Sequence, residues 1–324
     1  MNENKINPSE LISKYGVYAI ILVLLIVGSF VSNKFFSMIN IMNILESVSF
    51  LGVLAAGMSL VTYAGQSVDL SGPSIIAVSS FVSIKFLGAG LPVSIIAAII
   101  AGALIGLLNG FVIGKFRTNT VVWTLAMTFV ATGLIRVIFG STNIYPDAKY
   151  NVAGFESIAR AKLFGVIPIS VIVMVILLVG LHILVSRTRY GVMLKMVGSA
   201  EEAARYTGIN VTKIICSTFI ISGMCAAITG IFIGSLSKSA AYYYGTGYDF
   251  KAITAIVLSG VLLDGGKGSI LGVMGGVMTI GLLNNILTLL GVNTFLQDVV
   301  IGFVFILVVW LTALSTKKME GKYA

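Results

Sequence analysis

Residues 186–212, SRTRYGVMLKMVGSAEEAARYTGINVT, form a polar break between two long apolar runs. Ser199 and Glu202 have the spacing of a capping box, in which each side chain bonds the backbone N–H of the other residue. Gly208 suits the C′ position after a helix, since glycine adopts positive φ without strain. The pattern predicts a helix of about two turns, which is too short to be stable alone and needs a surface to dock against. The helix and its flanks comprise Ser199, Ala200, Glu201, Glu202, Ala203, Ala204, Arg205, Tyr206 and Gly208.

This polar break is also basic, because Arg187, Arg189, Lys195 and Arg205 lie within it. Loops rich in lysine and arginine stay on the cytoplasmic side of a membrane. From these residues alone, the short helix has two interpretations. It is either a solvated connector or the docking element for a cytoplasmic partner.

The composition is that of a polytopic membrane protein. The 324 residues are 57% hydrophobic and only 10% charged, whereas soluble domains carry about 25% charged residues. The net charge of +9 does not indicate nucleic-acid binding, because the basic residues flank apolar runs and form no single patch. The first apolar run lacks a small-x-small cleavage site, so we expect it to remain as the first span in the lipid bilayer.

Ten apolar runs approach the ~20 residues that a helix needs to cross a bilayer. The third and eighth are short and adjoin glycine-rich polar segments. They predict broken or re-entrant helices, which are tolerated only inside protein or along a cavity. The expected spans are 15–32, 41–63, 73–87, 92–114, 121–139, 164–185, 214–236, 252–263, 270–290 and 296–314.

The lysines and arginines predict the orientation of these spans. With both termini in the cytoplasm, the larger group of basic residues lies inside. That inner group is Lys5, Lys14, Lys115, Arg117, Arg187, Arg189, Lys195, Arg205, Lys213, Lys267, Lys317, Lys318 and Lys322. The outer group is Lys34, Lys85, Arg136, Lys149, Arg160, Lys162 and Lys238.

An internal repeat divides the chain into two halves. Three matches recur in the same order: GQSVDL at 65–70 with GTGYDF at 245–250, GLLN at 106–109 and 281–284, and NT at 119–120 and 293–294. Their offsets of 180, 175 and 174 residues preserve the spacing. Because each unit has five spans, an odd number, the two units must be inverted in the membrane, which is typical of transporters.

Glycines at four-residue spacing mark helix faces on which two backbones can approach closely. This pattern concerns packing and says little about substrate. The glycines are Gly102, Gly106, Gly110 and Gly114 in the fourth span, and Gly272 and Gly276 near the ninth.

Catalysis finds little support in the sequence. There is no nucleophile elbow and no HExxH, and His182 is the only histidine, so no catalytic or metal-ligand set is expected. No Gly-Lys pair is followed by Ser or Thr, so the P-loop pattern is absent. If ATP drives transport, ATP and magnesium bind to another polypeptide.

The polar residues of the spans include candidates for a substrate pathway. An acidic side chain within the bilayer costs about 2.5–3.5 kcal/mol on insertion scales and usually faces a bundle interior or a cavity. The two acids either cap backbone N–H groups or line the pathway, and the two amides either bond between helices or line it. The candidates are Asp69, Ser71, Asn109, Asp249 and Asn284.

These motifs together resemble the permease of ribose-type ATP-binding-cassette (ABC) sugar importers, in the branched-chain amino-acid/ribose permease superfamily. The resemblance runs from about residue 35 to residue 314. It rests mainly on TRYG at 188–191 and VGSAEEAARYTGINV at 197–211, supported by DLS at 69–71, GTGY at 245–248 and GGKGS at 265–269. The sequence departs from the family pattern at Pro73, at Asp249, where the family has Glu, and at Val261 and Leu262, where it has Thr-Ser.

The resemblance implies an all-α permease that works by alternating access in the bacterial cytoplasmic membrane. It implies two permease subunits, identical or paralogous, an ATPase on which 200–206 docks as the coupling helix, and an extracytoplasmic sugar-binding protein. The chain is then one transmembrane domain, with a first half (15–185), a coupling loop (186–212), a second half (213–315) and a cytoplasmic tail (316–324). A secondary transporter or channel without an ATPase is the main alternative, and a membrane enzyme is the third.

Overall fold

The computed structural model describes the backbone of residues 8–320 and the side chains of residues 16–310. Over this range the chain is mostly helical. Its helices are α1 (Pro8–Val31), α2 (Met38–Tyr63), α3 (Gly72–Lys85), α4 (Leu91–Phe116), α5 (Thr120–Phe139), α6 (Val152–Arg160), α7 (Ile169–Arg187), α8 (Arg189–Ser199), α9 (Glu201–Tyr206), α10 (Val211–Ser237), α11 (Tyr248–Leu258), α12 (Val273–Leu289) and α13 (Thr294–Glu320). Two short strands, β1 (Lys162–Leu163) and β2 (Ile167–Pro168), form a hairpin between α6 and α7.

The ten expected spans correspond to α1–α5, α7 and α10–α13. Within the described residues, six helices are long and apolar enough to cross a membrane: α2, α3 with its 3₁₀ extension, α4, α5, α7 and α10. Shorter apolar helical segments cover 16–31, 273–289 and 294–310. The predicted all-α membrane fold is confirmed. The count of ten crossings and the inversion of the halves stay predictions.

Some boundaries differ from the prediction for local reasons. The sixth span begins at Ile169 instead of 164, because the preceding residues form the β1–β2 hairpin. The short third helix continues into a 3₁₀ turn, Phe86–Ala89. The eighth ends at Leu258, and an irregular connection of residues 259–272 follows it. Residues 316–320 of the predicted tail continue α13, and 321–324 lie outside the described residues.

α2 and α10 form the centre of the molecule. Residues 48–63 of α2 are all buried, and α10 packs against α2, α3 and α4. Many large apolar side chains of α1, α4, α5, α7 and α13 are instead exposed. This distribution fits a bundle whose outer helices face lipid, which is as apolar as their side chains.

The glycine faces bring helix backbones into direct contact. The facing pairs are Gly102–Gly223, Gly106–Phe219, Gly110–Cys216 and Gly114–Thr212 between the antiparallel α4 and α10, and Gly276–Ala255 and Gly272–Ser259 where α12 meets α11. A Cβ atom at Gly110 would stand 2.6 Å from the Cα of Cys216. Any larger residue on these faces therefore separates the two helices.

The packing of the two halves corresponds for four of the five helices in each half. α3 packs against α4, α5 and α10, and its equivalent α11 packs against α12, α13 and α2. The α4–α10 contact likewise has its counterpart in α12–α2. The first helices differ, because α1 packs against α12, whereas α7 packs against α2. Two structural repeats predict such a correspondence.

Candidate functional site

The polar break at 186–212 contains two helices, where the sequence predicted one. α8 begins after Thr188, whose Oγ1 accepts a hydrogen bond from the N–H of Gly191 at 3.3 Å. α9 follows it after a single residue, Ala200. The prediction that Ser199 caps the short helix is wrong, because Ser199 is the last residue of α8. Ala200 takes the N-cap position without a side-chain bond, so the capping box with Glu202 does not form.

One side of α9 packs against α8 and α10, and the other side is exposed to solvent. Ala204 is 0% exposed and packs against the α8 and α10 side of the core. The expectation that Ala204 contacts a partner protein is therefore wrong. Glu202 and Ala203 are exposed, and Tyr206 is 91% exposed. These three residues form the α9 outer face, which a helix of only six residues is too short to reveal by its periodicity.

Glu201 connects α9 to the end of α4. Its carboxylate pairs with Arg117 and with the Nη2 of Arg205, the latter at 3.1 Å. Arg117 ends α4 in the left-handed region, with φ of +57°. Gly208 has φ of +82° after α9, as predicted for a C′ glycine. Because the side chains of Glu201 and Arg117 are about one third exposed, these pairs orient α9 more than they stabilise the fold.

A basic groove of about 410 Å³ lies beside α9, between the end of α4 and the start of α10. Lys115, Arg117 and Arg205 line it together with Asn210, whose Oδ1 caps α10 by accepting from the N–H of Lys213 at 3.1 Å. The end of the bundle that carries α8, α9 and this groove is called the α8–α9 end below.

Three of the five pathway candidates form one buried hydrogen-bond network. Asp69 Oδ1 accepts from the backbone N–H of Ser71 at 2.9 Å and from its Oγ at 2.6 Å. Asp69 Oδ2 accepts from Ser222 Oγ of α10 at 3.0 Å. Asn109 of α4 donates to Ser71 Oγ at 2.9 Å and accepts from the indole N–H of Trp123 of α5 at 3.0 Å. Each side-chain donor in this chain of bonds has an acceptor.

The network ties the start of α3 to α4, α5 and α10. Asp69 is 2% exposed, and Ser71 and Asn109 are 0% exposed, so in this conformation they hold helices together and do not face an open path. Asp69 also bonds the backbone at the start of α3, as the capping interpretation predicted. Sequence reasoning missed Trp123 and Ser222. The sequence feature that could have identified Trp123 is its position one helical turn after the repeated Asn119-Thr120, where its indole N–H can donate a hydrogen bond.

The other two candidates lie in the second half, apart from this network. Asp249 is in the first turn of α11, whose N-cap is Gly247. The Oδ1 atom of Asn284, on α12, is buried and has no hydrogen-bond partner among the described residues. The neighbouring Asn285 forms a reciprocal amide pair with Asn40 of α2, at 2.8 and 3.0 Å.

Comparison with known proteins decides the family. Residues 40–309 match the family model described as the permease component of branched-chain amino acid transport systems. The chain belongs to this permease family. It is therefore an integral membrane transport protein. The matched region includes the Asp69 network, α8 and α9.

Several curated relatives cover nearly the whole permease. The ribose import permease protein of Escherichia coli strain K12 is 34% identical over 291 residues, which are 89% of this chain and 90% of the relative. That of Bacillus subtilis strain 168 is 35% identical over 313 residues, 95% of each chain. The L-arabinose transport system permease protein of E. coli K12 is 33% identical over 296 residues, 90% of this chain and 88% of the relative. No solved structure matches the chain.

Proposed function

We propose that the chain is the membrane-spanning subunit of an ABC importer that moves a monosaccharide or a related small polar solute by alternating access. The observation that carries this proposal is the similarity, along almost the full chain, to permeases named for ribose and L-arabinose. The chain supplies the path and no catalytic group. ATP and magnesium bind to a separate ATPase subunit.

The proposed assembly contains two permease subunits, identical or paralogous, an ABC ATPase and an extracytoplasmic sugar-binding protein. In the bacterial inner membrane the α8–α9 end faces the cytoplasm, as do both termini. The basic residues Lys115, Arg117 and Arg205 at this end support the orientation, because positive residues remain on the cytoplasmic side. The end that carries α6 and the hairpin then faces outward.

We propose the α9 outer face as the surface that docks on the ATPase. A displacement of α9 would be transmitted to α4 through the Glu201–Arg117 ion pair and to α8 through Ala200, the single residue between the two helices. The basic groove next to α9 suits acidic side chains of the ATPase, since opposite charges across an interface guide association. Ala204 has the opposite role and holds α9 to its own subunit.

The decisive experiment is reconstitution with cognate partners. The permease is expressed with an ABC ATPase and a sugar-binding protein in cells that lack their own ribose and arabinose importers. Uptake of labelled ribose and arabinose is measured, and the purified permease is tested for bound ATPase. ATP-dependent uptake with the ATPase in the complex is expected. Uptake by the permease alone, driven by an ion gradient, would instead establish a secondary transporter.

Variants of the α9 outer face test the docking surface. Ala203→Trp and Tyr206→Ala should each lower uptake about tenfold or more and release the ATPase, since a few exposed anchor residues carry most of the binding energy of an interface. Tyr145→Ala is the matched control, because Tyr145 is 68% exposed on the connection between α5 and α6. Wild-type uptake by both α9 variants, with the ATPase still bound, would make α9 a connector.

A further inference from the structure

Three backbone segments meet beside α9: the connection from α2 to α3, the end of α8, and the 259–272 connection. The N–H of Gly266 donates to the carbonyl oxygen of Tyr63, the last residue of α2, at 2.9 Å. Four glycines lie at the contacts between these segments. They are Gly65, Gly198, Gly265 and Gly266, together called the glycine junction.

The glycine junction leaves no room for side chains. A Cβ atom at Gly198 would overlap the carbonyl oxygen of Tyr63 and stand 2.8 Å from the backbone nitrogen of Gly266. At Gly265 it would lie 2.5 Å from the Cα and nitrogen of Gly65. At Gly266 it would overlap Ser199 Oγ and lie 3.0 Å from the Cα of Ser199. The contacts are therefore largely backbone to backbone, without a flexible side chain to absorb a displacement.

Three of the four glycines also have backbone conformations that other residues rarely adopt. φ is +74° at Gly65, +87° at Gly265 and +70° at Gly266. Positive φ lets the chain turn sharply enough for the two connections to touch. Gly198 is helical and contributes only its lack of a side chain.

Each segment leads to a different part of the fold. The end of α8 is joined to α9 through Ala200 alone. Gly65 precedes Asp69, whose network reaches α3, α4, α5 and α10 in the first half. The 259–272 connection joins α11 to α12 in the second half. One site of contact therefore links the α9 segment with two connections, the one from α2 to α3 and the one formed by residues 259–272. They are called the two broken-helix connections, because each adjoins one of the short helices α3 and α11.

We propose that the glycine junction positions both broken-helix connections relative to α9, so that a movement of α9 shifts the two halves together. This inference rests on the proposed docking of α9 on an ATPase. Close-packed contacts change by discrete shifts and do not stretch continuously. The junction residues act as positioning residues, which transmit displacement through their backbone contacts.

Two pairs of alanine variants test the junction in the assembled transporter. Gly266→Ala is compared with Gly260→Ala, because Gly260 lies in the same connection with φ of +81° but has nothing within 4 Å of its Cβ position. Gly198→Ala is compared with Gly180→Ala, a helical glycine of α7 with equally open surroundings. The junction variants should retain the ATPase and its hydrolysis of ATP, while sugar taken up per ATP falls about tenfold or more. Equal effects in variant and control would overturn the proposal, because the loss would then follow from replacing glycine at an open position and not from the contacts of the junction.

Hydrogen exchange of the wild-type transporter tests the same inference without a variant. Addition of ATP should change the exchange of residues 63–68, 197–206 and 262–268 together, since their backbones touch. A change in 197–206 alone would overturn the junction and leave the docking proposal intact. No bound ATPase, or no response of 197–206 to ATP, would count against the docking proposal itself.

Discussion

The α3–α5 region and the α11–α13 region occupy equivalent places in the two halves but use their polar residues differently. In α3–α5, Asp69, Asn109 and Trp123 belong to one closed and buried network. In α11–α13, the Oδ1 of Asn284 has no partner, and the Asp298 that pairs with Lys251 at 3.1 Å has a side chain 52% exposed. The repeat has kept the backbone arrangement, while the side-chain bonds have diverged.

Two replacements account for the divergence. Ser71, whose hydroxyl bridges Asp69 and Asn109, has Lys251 as its repeat equivalent, and the ammonium group of Lys251 pairs with α13. The equivalent of Trp123 is Gln297, which bonds locally to Thr288 Oγ1 and the carbonyl of Val292. The first half therefore joins α3, α4, α5 and α10 through one network, whereas the polar residues of the second half form separate pairs, such as Lys251 with Asp298.

The largest expected difference between the halves concerns the two repeated acids. Asp69→Ala removes the acceptor of three donors, so we expect a loss of about 2–3 kcal/mol in the free energy of unfolding. Asp249→Ala should cost less than about 1 kcal/mol, as expected for a helix-end residue. Thermal unfolding in detergent, followed by the fluorescence of Trp123 in a Trp310→Phe background, measures both. Equal losses would contradict the assignment of a closed network to the first half.

The repeated glycines of α4 and α12 provide the next comparison. A Cβ at Gly106 would overlap the backbone carbonyl of Phe219, whereas at Gly281 it would overlap the Cγ2 atom of the Val48 side chain. Gly106→Ala should cost about 2 kcal/mol, because backbones cannot move aside. Gly281→Ala should cost less than Gly106→Ala, because the overlapped atom belongs to a side chain and alanine is favoured over glycine by about 1 kcal/mol within a helix.

Gly133→Ala is the control for this comparison, because the Gly133 position is open. It should stabilise α5 slightly, and unfolding temperatures report all three variants. A loss at Gly281 as large as that at Gly106 would show that α12 and α2 are packed as tightly as α4 and α10.

The sequence predicted the positions of the long apolar helices, because a segment that crosses a bilayer needs about 20 apolar residues. The short third and eighth runs also correspond to the short α3 and α11. The start of the sixth span was missed, since residues 162–168 are apolar enough to extend the run. The pairing of Lys162 with Pro168 and of Leu163 with Ile167 shows that they form a hairpin.

The candidate sites were less predictable because they depend on contacts between distant segments. Ser199 has the composition of an N-cap, but α8 extends through it, and its contact with Gly266 comes from a connection far along the chain. The burial of Ala204 likewise depends on α8 and α10. By contrast, Asp69 and Asn109 stand out in the sequence as polar residues of the repeated motifs, although the sequence does not show that they meet through Ser71.

The repeated asparagines of the GLLN motif should respond differently to the same change. Asn109→Leu removes two hydrogen bonds and leaves the indole N–H of Trp123 without an acceptor, so a cost of about 1.5 kcal/mol is expected. Asn284→Leu replaces a buried oxygen that has no partner and should leave stability unchanged or raise it. Unfolding and sugar uptake are measured for both. A normal fold with lost uptake in Asn284→Leu would identify Asn284 as a pathway residue.

The smallest effect belongs to the repeated helix caps, where the two halves should behave alike. Asn119 Oδ1 accepts from the N–H of Val122 at 3.1 Å, and Asn293 Oδ1 accepts from the N–H of Leu296 at 2.9 Å. Alanine at either position removes one exposed N-cap bond and should cost about 1 kcal/mol, and aspartate should restore it. Thermal unfolding of the four variants gives the comparison. A larger cost at Asn119 would show that the first half is also held more strongly by hydrogen bonds at the start of α5. Equal costs would confine the difference between the halves to their buried polar side chains.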